Sequence, residues 1–193
     1  MNPLLLACDS VAPRPWRNGG GVTRELLARP AVATWRVRVS VADIASDGPF
    51  SAWPGITRWF AVVDGAGVEL RIGSSSQHQL LGADALCFSG DVPVECRLLH
   101  GPTRDLNLML RDTPGFMQPA RVGTSWTPHA RSCGFFATRW SRCRHTCARG
   151  EDRFTDVPRF TLLWFERAPR RLSVDADDHE GDGAGYWIGV GDP

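Results

Sequence analysis

Alternation of apolar and polar residues with a period of two is the feature that most constrains how this chain can fold. Within residues 35–41, tryptophan and valine occupy every odd position, whereas Arg36, Arg38 and Ser40 occupy the even ones. Successive side chains of a strand point to opposite faces, so this pattern predicts a strand with one apolar and one polar face. Similar runs predict further strands at residues 57–63, 68–72, 92–99, 106–110, 135–140, 160–165, 172–174 and 186–190.

Glycine and proline interrupt these runs and argue against long helices. The chain of 193 residues contains 20 Gly and 14 Pro, and the best helical candidate is one turn at residues 113–117. Many short strands separated by turn residues are typical of an antiparallel sandwich or barrel. We therefore predict an all-β fold. A domain boundary can be proposed near residues 111–130, where prolines and glycines crowd together and the charge balance changes, but this stretch could equally be a crossover loop inside a single closed structure.

The apolar segments and the cysteines of the chain indicate the cellular compartment in which it works. No run of 18 apolar residues is present, and the apolar Leu4–Ala7 segment is short and lacks a basic flank. This predicts neither a membrane span nor a signal peptide. The six cysteines fit reduced thiols better than a disulfide framework. We expect a cytoplasmic protein.

All 22 basic side chains are arginine. The absence of lysine excludes Schiff-base and lysine-base chemistry and leaves planar cations that suit carboxylates. Residues 121–171 hold 11 Arg and four acids, whereas residues 172–193 hold six acids and no Arg. We expect these charges to neutralise one another or to be solvated, and no nucleic-acid motif is present.

Two polar segments are candidates for a site. Three glycines at residues 19–21 allow a close backbone approach, and the strand after them presents Glu25, whose partner is either a ligand or the arginine row of residues 35–41. In the second segment, Asp105, Asn107 and Met109 share one face of a strand. They line a small polar cavity if that face points inward.

Several segments together resemble the HutD/Ves family. They are Trp16-Arg17-Asn18-Gly19-Gly20-Gly21-Val22-Thr23-Arg24-Glu25, Trp35-Arg36 with Ser40, Asp47-Gly48-Pro49-Phe50-Ser51 with Pro54-Gly55 and Arg58, Phe88-Ser89-Gly90, and Gly101-Pro102 with Asp105-Leu106-Asn107-Leu108-Met109. The match covers roughly residues 12–111, and Arg17 stands where the family usually has Lys. Residues 112–193 carry no comparable motif, and the Cys/Arg-rich stretch around residues 131–149 looks particular to this chain.

The resemblance implies a bicupin, with two antiparallel β-barrel or jelly-roll halves in one chain, at residues 1–111 and 112–193. It also implies a regulatory protein of histidine utilisation that binds a small carboxylate metabolite. On this basis we expect a urocanate- or formylglutamate-like ligand, with Arg36 and Arg58 on its carboxylate. Neutral hydrogen bonds would come from Asn18, Ser40 and Asn107, and Glu25 and Asp105 would accept from an imidazole or amide N–H.

No metal or cofactor is expected. The five histidines include no H-x-H pair of a metal-binding cupin, and the set Cys133, Cys143, His145 and Cys147 lacks the usual zinc spacing. The alternative function is a metal-independent enzyme acting on a histidine breakdown product, with Glu25 or Asp105 as general base. A third interpretation is a pure interaction protein. Partners other than the ligand, including a second copy in a homodimer, are left open.

Overall fold

The computed structural model describes residues 2–176 and 183–191. Within them the chain forms 19 strands and two 3-10 helices, at Cys8–Ser10 and Val32–Thr34. The strands are β1 (Leu4–Ala7), β2 (Arg14–Pro15), β3 (Gly21–Arg29), β4 (Val37–Ile44), β5 (Gly48–Pro49), β6 (Ile56–Asp64), β7 (Val68–Ile72), β8 (Ser75–Gln79), β9 (Leu86–Ser89), β10 (Val94–Leu98), β11 (Thr103–Arg111), β12 (Gly115–Arg121), β13 (Ser125–Trp126), β14 (Ser132–Ala137), β15 (Ser141–Thr146), β16 (Asp152–Val157), β17 (Thr161–Phe165), β18 (Arg171–Asp175) and β19 (Gly183–Val190). The predicted all-β class is confirmed.

The chain divides into two compact units. The first unit is Val11–Thr113, and the second unit combines the start of the chain, up to Ser10, with the part from Pro114 onward. This division differs from the predicted one because the first residues do not belong with the motifs that follow them. Instead β1 pairs with β17, with Leu4 opposite Trp164.

The first unit is built from two antiparallel sheets. Six strands follow the order β2-β3-β4-β11-β6-β9, and four follow the order β5-β10-β7-β8. Their inner faces share an apolar core that includes Ile44, Phe60, Val62, Leu70 and Val94. The inward positions of β4, β6 and β11 continue from this core towards polar residues, which brings the candidate site into the interior of the unit.

The second unit repeats this arrangement with a different interior. Its sheets have the orders β1-β17-β14-β19-β12 and β13-β18-β15-β16. Its inner cluster is apolar and includes Phe135, Leu163, Phe165 and Trp187. The nearly buried His145 packs edge-on against Phe165, with 5.0 Å between ring centroids.

The short helical turn expected at residues 113–117 is wrong. Residues from Gly115 onward form β12, in which Phe116 lies opposite Gly189 of β19. Pairing with a strand some 70 residues away decides the conformation here, and local sequence carries no sign of that partner.

Charge within the second unit is balanced locally. On the outer face of its four-stranded sheet, Arg144 pairs with Asp152, and Arg142 lies 3.6 Å from Asp156. The basic stretch is thus partly neutralised by its own acids. Most acids of the segment 172–193 fall in residues 177–182 and 192–193, which lie outside the described residues.

All six cysteines are free thiols. In the part of the chain that the structure describes, no helix is long and apolar enough to cross a membrane.

Candidate functional site

Arg58 is a charged side chain on an apolar face. It lies on β6, two residues before Phe60 and four before Val62, so all three point into the core of the first unit. Only 7% of Arg58 is exposed. A cation buried in this way is costly unless an anion pairs with it, and aromatic faces offset only part of that cost.

Aromatic rings surround the Arg58 guanidinium. Its Cζ lies 5.2 Å from the ring centroid of Phe50 and 5.1 Å from that of Phe88, within the range of cation–π attraction. Burial lowers the pKa of Arg58 to about 10, and nearby Arg38 adds to the lowering, whereas Asp105 opposes it. Across residues 2–176 and 183–191, no carboxylate lies within ion-pair distance of Arg58, and its Nε has no hydrogen-bond partner.

A hydrogen-bonded relay joins Arg58 to a buried acid. Nη2 of Arg58 donates to Oδ1 of Asn107 at 3.2 Å, and Nδ2 of Asn107 donates to Oδ2 of Asp105. Asn107 and Asp105 are inward-facing neighbours on β11, which lies between β4 and β6 in the sheet. The predicted shared face of this strand is therefore confirmed, and it points inward.

Asp105 is the most deeply buried of these groups. Only 1% of it is exposed, and its Oδ1 has no hydrogen-bond partner. Burial raises the pKa of Asp105 to about 8, whereas the hydrogen bond from Asn107 and the charge of Arg58 lower it. The carboxyl is therefore mainly protonated at neutral pH.

An ion pair stands at the less buried end of the cluster. Nε of Arg38 donates to Oε2 of Glu25 at 2.7 Å, and these side chains are 16% and 17% exposed. The Arg38 guanidinium also lies 5.6 Å from the Trp53 ring centroid, and its Nη1 lies 3.5 Å from Sδ of Met109. Exposure therefore falls from this ion pair towards Arg58 and Asp105.

Two irregularities in strand pairing coincide with site residues. The register between β3 and β4 shifts between Glu25 and Leu27, and that between β11 and β6 shifts between Arg104 and Asp105. Bulges of this kind re-aim side chains and are common beside functional sites. Nothing in the sequence pattern predicts either of them.

Two of the three successive glycines are required by the backbone geometry of this loop. Gly19 has a φ of 72°, and a Cβ on Gly21 would lie 2.4 Å from the carbonyl oxygen of Asp43. Asn18 is exposed in this loop, and its Oδ1 accepts a hydrogen bond from the Gly20 amide at 3.1 Å.

Six of the inward-facing polar residues form what we call the interior polar cluster. They are Glu25, Arg38, Ser40, Arg58, Asp105 and Asn107. Ser40 is buried and lies opposite both Glu25 and Asn107 in the pairing register. Five of the seven residues expected from the sequence are thus brought together, and Asn18 and Arg36 are not.

The expected position of Arg36 needs correction. It precedes β4, is exposed, and donates to the carbonyl oxygens of Arg111 and Asp112. The strand begins at Val37 because Trp35 caps the short helix Val32–Thr34. The arginine that joins the cluster is Arg38, two positions further along the same alternating row.

Four residues that form or contact the interior polar cluster were not among the predicted site residues. They are Arg38, Phe50, Phe88 and Trp53. The alternation did place Arg38 on the polar face of its strand, beside Ser40, and the partner of Glu25 was expected to be either a ligand or that arginine row. The Arg38–Glu25 pair shows the second of these two contacts. Phe50 and Phe88 come from distant segments, and only tertiary structure shows that they flank Arg58.

A separate groove of about 460 Å³ lies on the outer face of the four-stranded sheet of the first unit. Its lining includes Glu69, Arg71, Glu95 and Arg97, with Arg71 opposite Glu95 and Glu69 opposite Arg97 in the register. This groove is open to solvent, and its charges alternate in sign. Two buried polar atoms without a hydrogen-bond partner, Nε of Arg58 and Oδ1 of Asp105, lie in the interior polar cluster, and we therefore place the candidate site there.

Among the described residues, no group of three or more His, Cys, Asp or Glu is arranged to hold a metal ion. Cys133 and Cys143 lie in the apolar core of the second unit. Burial raises the pKa of Cys143 to about 12, far from the thiolate state that a metal ligand requires.

Comparison with known proteins identifies the relatives of this chain. It is 37% identical over 107 residues to an uncharacterized 21.2 kDa protein in the hutC 3' region of Pseudomonas putida, covering 54% of this chain and 56% of that protein. It is 37% identical over 97 residues to protein Ves of Cronobacter sakazakii, covering 50% of this chain and 54% of that protein. The chain thus spans about half the length of the curated relatives it matches.

Solved structures extend the similarity to the whole chain. HutD from Pseudomonas fluorescens, solved in a formate condition, superposes with a TM-score of 0.81 over 99% of both chains at 24% identity. A mutant of Bacillus subtilis oxalate decarboxylase superposes with a TM-score of 0.68 over 100% of this chain and 78% of its own, at 10% identity. These likenesses establish the cupin fold, and the predicted bicupin architecture is confirmed.

The family model named HutD matches residues 9–169. This range contains the whole interior polar cluster and most of the second unit. The chain therefore belongs to the HutD family, which is linked to histidine utilisation.

Proposed function

We propose that the protein binds a small carboxylate metabolite of histidine breakdown in the interior polar cluster and that binding serves a regulatory role. The proposal rests on one observation. Arg58 is a buried cation flanked by aromatic rings and has no carboxylate partner in the described chain. A ligand carboxylate supplies the anion that the fold omits.

The charges of the cluster favour an anionic ligand. Arg38 and Glu25 neutralise each other at 2.7 Å. Asp105 is mainly protonated at neutral pH because burial raises its pKa to about 8. Arg58 is left as one net positive charge, which matches a single carboxylate.

The remaining members of the site suit a planar or amide-bearing ligand. The rings of Trp53 and Phe50 lie beside the Arg38 and Arg58 guanidinium groups, and Ser40 and Asn107 offer neutral hydrogen bonds. Glu25 lies at the less buried end of the cluster. Its carboxylate can accept a hydrogen bond from an imidazole or amide N–H while it also accepts one from Arg38. Urocanate and formylglutamate both present such groups. Charge-assisted bonds contribute about 1.5–3 kcal/mol each, so a few of them after association costs give roughly micromolar affinity.

The family context supports the choice of metabolite. The chain belongs to the HutD family, and its relative from Pseudomonas putida is named for the hutC 3' region. The solved HutD from Pseudomonas fluorescens comes from a formate condition, and formate is the smallest carboxylate with which the site can be probed.

Binding without turnover agrees better with the geometry than general-base catalysis does. A general base must be unprotonated and free to take a proton. Glu25 is held by Arg38, and Asp105 keeps its own proton at neutral pH. Neither carboxyl is a free base in this arrangement.

Calorimetry with urocanate, formylglutamate and formate tests the proposal. The variant Arg58→Gln removes the unpaired cation, and Arg36→Gln is the matched control because Arg36 lies outside the cluster. We expect saturable heat with at least one ligand and a loss of roughly 10- to 100-fold in affinity in Arg58→Gln, with the control within about threefold of wild type.

Two results would overturn the proposal. One is the absence of heat with all three carboxylates at millimolar concentration. The other is an Arg36→Gln variant that loses as much affinity as Arg58→Gln does.

A further inference from the structure

The direction of each hydrogen bond in the relay is dictated by chemistry. A guanidinium only donates hydrogen bonds, so the Asn107 atom that faces Arg58 must be the amide oxygen. The amide nitrogen of Asn107 is then turned towards Asp105, and it donates to Oδ2. Oδ2 of Asp105 is therefore an acceptor.

This assignment locates the proton of a neutral Asp105. Since Oδ2 accepts from Asn107, the carboxyl proton resides on Oδ1, the atom that has no hydrogen-bond partner. Nε of Arg58 is a second buried donor without a partner. The two ends of the relay thus offer unused N–H and O–H groups, and the two oxygens of a carboxylate could accept from both.

The surroundings of Asp105 favour its neutral form. The titratable groups around it are Arg58 of β6, Cys96 of β10, Asp43 and Arg38 of β4, and Glu25 of β3. Arg58 bonds to Asn107 rather than to Asp105. Arg38 is paired with Glu25, and Asp43 is paired with Arg24 and Arg104. A charged Asp105 would have one neutral amide as its hydrogen-bond donor in an interior that excludes water, which disfavours ionisation.

We propose that Asp105 acts as a neutral acid in the site and donates its Oδ1 proton to the carboxylate of the ligand. This inference rests on the proposed function and sharpens it. It makes Asp105 a hydrogen-bond donor to the ligand, whereas the sequence suggested a hydrogen-bond acceptor. The ligand class becomes a carboxylate that binds with one carboxylate group at Arg58 and Asp105, together with a retained proton.

Binding and protonation are then linked. An ionised Asp105 would repel the ligand carboxylate, so binding favours the protonated form and draws a proton from solvent when the pH is high. With burial raising the pKa of Asp105 to about 8, the affinity of the wild type falls about tenfold between pH 7 and pH 9. Below pH 7 it is nearly constant.

The test is calorimetry of the full chain with formate and urocanate at pH 7, 8 and 9, in two buffers of different ionisation enthalpy. Wild type is compared with Asp105→Asn, whose side-chain amide is a permanent neutral donor, and with Asp47→Asn as control. Asp47 lies outside the interior, and its Oδ1 accepts from the Leu98 amide at 2.8 Å, which an asparagine can also do. We expect wild type and control to take up about half a proton on binding at pH 8, and Asp105→Asn to take up none.

The affinities give a second readout. Asp105→Asn should have a dissociation constant that does not change from pH 7 to pH 9, and at pH 9 it should bind more tightly than wild type. The inference falls if wild type binds with no pH dependence, or if Asp105→Asn binds more weakly than wild type at all three pH values. If wild type binds neither of these carboxylates at any pH, and does not bind formylglutamate either, the proposed function falls with it.

Discussion

Arg58 and Asn107 form a 3.2 Å hydrogen bond between adjacent strands in the core of the first unit. Each side chain is 7% exposed, and the neighbouring inward positions on β6 are Phe60 and Val62. A guanidinium in such a place is costly unless an anion compensates it. The fold provides a neutral amide and two aromatic rings in place of a carboxylate, which is the physical basis for a ligand site.

The first prediction concerns the pH dependence of stability. Asp105 has an ordinary pKa near 3.8 in the unfolded chain, and burial raises it to about 8 in the folded protein. Between these pH values the folded state holds one more proton, so the free energy of unfolding falls as the pH rises from about 4 to 8 and then levels. Asp105→Asn removes this decline.

Thermal unfolding at pH 5, 6.5 and 8 measures the effect. The stability of Asp105→Asn relative to wild type should rise by about 1.4 kcal/mol per pH unit, or roughly 3–4 kcal/mol between pH 5 and pH 8. Each kcal/mol corresponds to roughly 3 °C in melting temperature for a chain of this size. Asp47→Asn should follow wild type. Parallel curves for wild type and Asp105→Asn would show that Asp105 is ionised throughout.

The second prediction concerns ligand charge. Glu25→Gln removes the anion that neutralises Arg38 at 2.7 Å and leaves the cluster with two unpaired cations. The ratio of formylglutamate affinity to urocanate affinity should rise about 5- to 10-fold, because the dianion can use both arginines. Glu69→Gln, on the outer face of the four-stranded sheet, is the matched control.

Calorimetry with both ligands measures this ratio. An unchanged ratio in Glu25→Gln would mean that Arg38 does not face the ligand.

The third prediction separates two glycines of the loop before β3. Gly21→Ala places a Cβ 2.4 Å from the carbonyl oxygen of Asp43, whereas Gly19→Ala meets nothing within 4 Å and only strains a φ of 72°. We expect Gly19→Ala to cost about 1 kcal/mol and Gly21→Ala to cost more than about 2 kcal/mol, because backbone must move. Urea unfolding of the two variants gives the comparison, and equal losses would contradict this account of the loop.

Local patterns predicted much of this site. The alternation of β11 places Asp105 and Asn107 on one face, and the alternation of β4 does the same for Arg38 and Ser40. The sequence left the partner of Glu25 open between a ligand and that arginine row, and the structure pairs it with Arg38. Strand periodicity is a local property, which explains why these relationships could be read from short segments.

The remaining features depend on contacts between distant segments. Arg36 lies outside the site because β4 starts at Val37 and because the carbonyl oxygens of Arg111 and Asp112 accept from its guanidinium. Phe88 reaches Arg58 through the pairing of β9 with β6, in which the two residues are opposite each other. A pattern of alternating residues contains no information about these partners.

The most direct test of the central claim is a crystal structure of the protein grown with urocanate. The account predicts one carboxylate oxygen about 2.7–3.0 Å from a guanidinium nitrogen of Arg58 and the other within hydrogen-bond distance of Oδ1 of Asp105. Density for the ligand in the outer groove beside Glu69 and Arg71, with Arg58 unchanged, would contradict it.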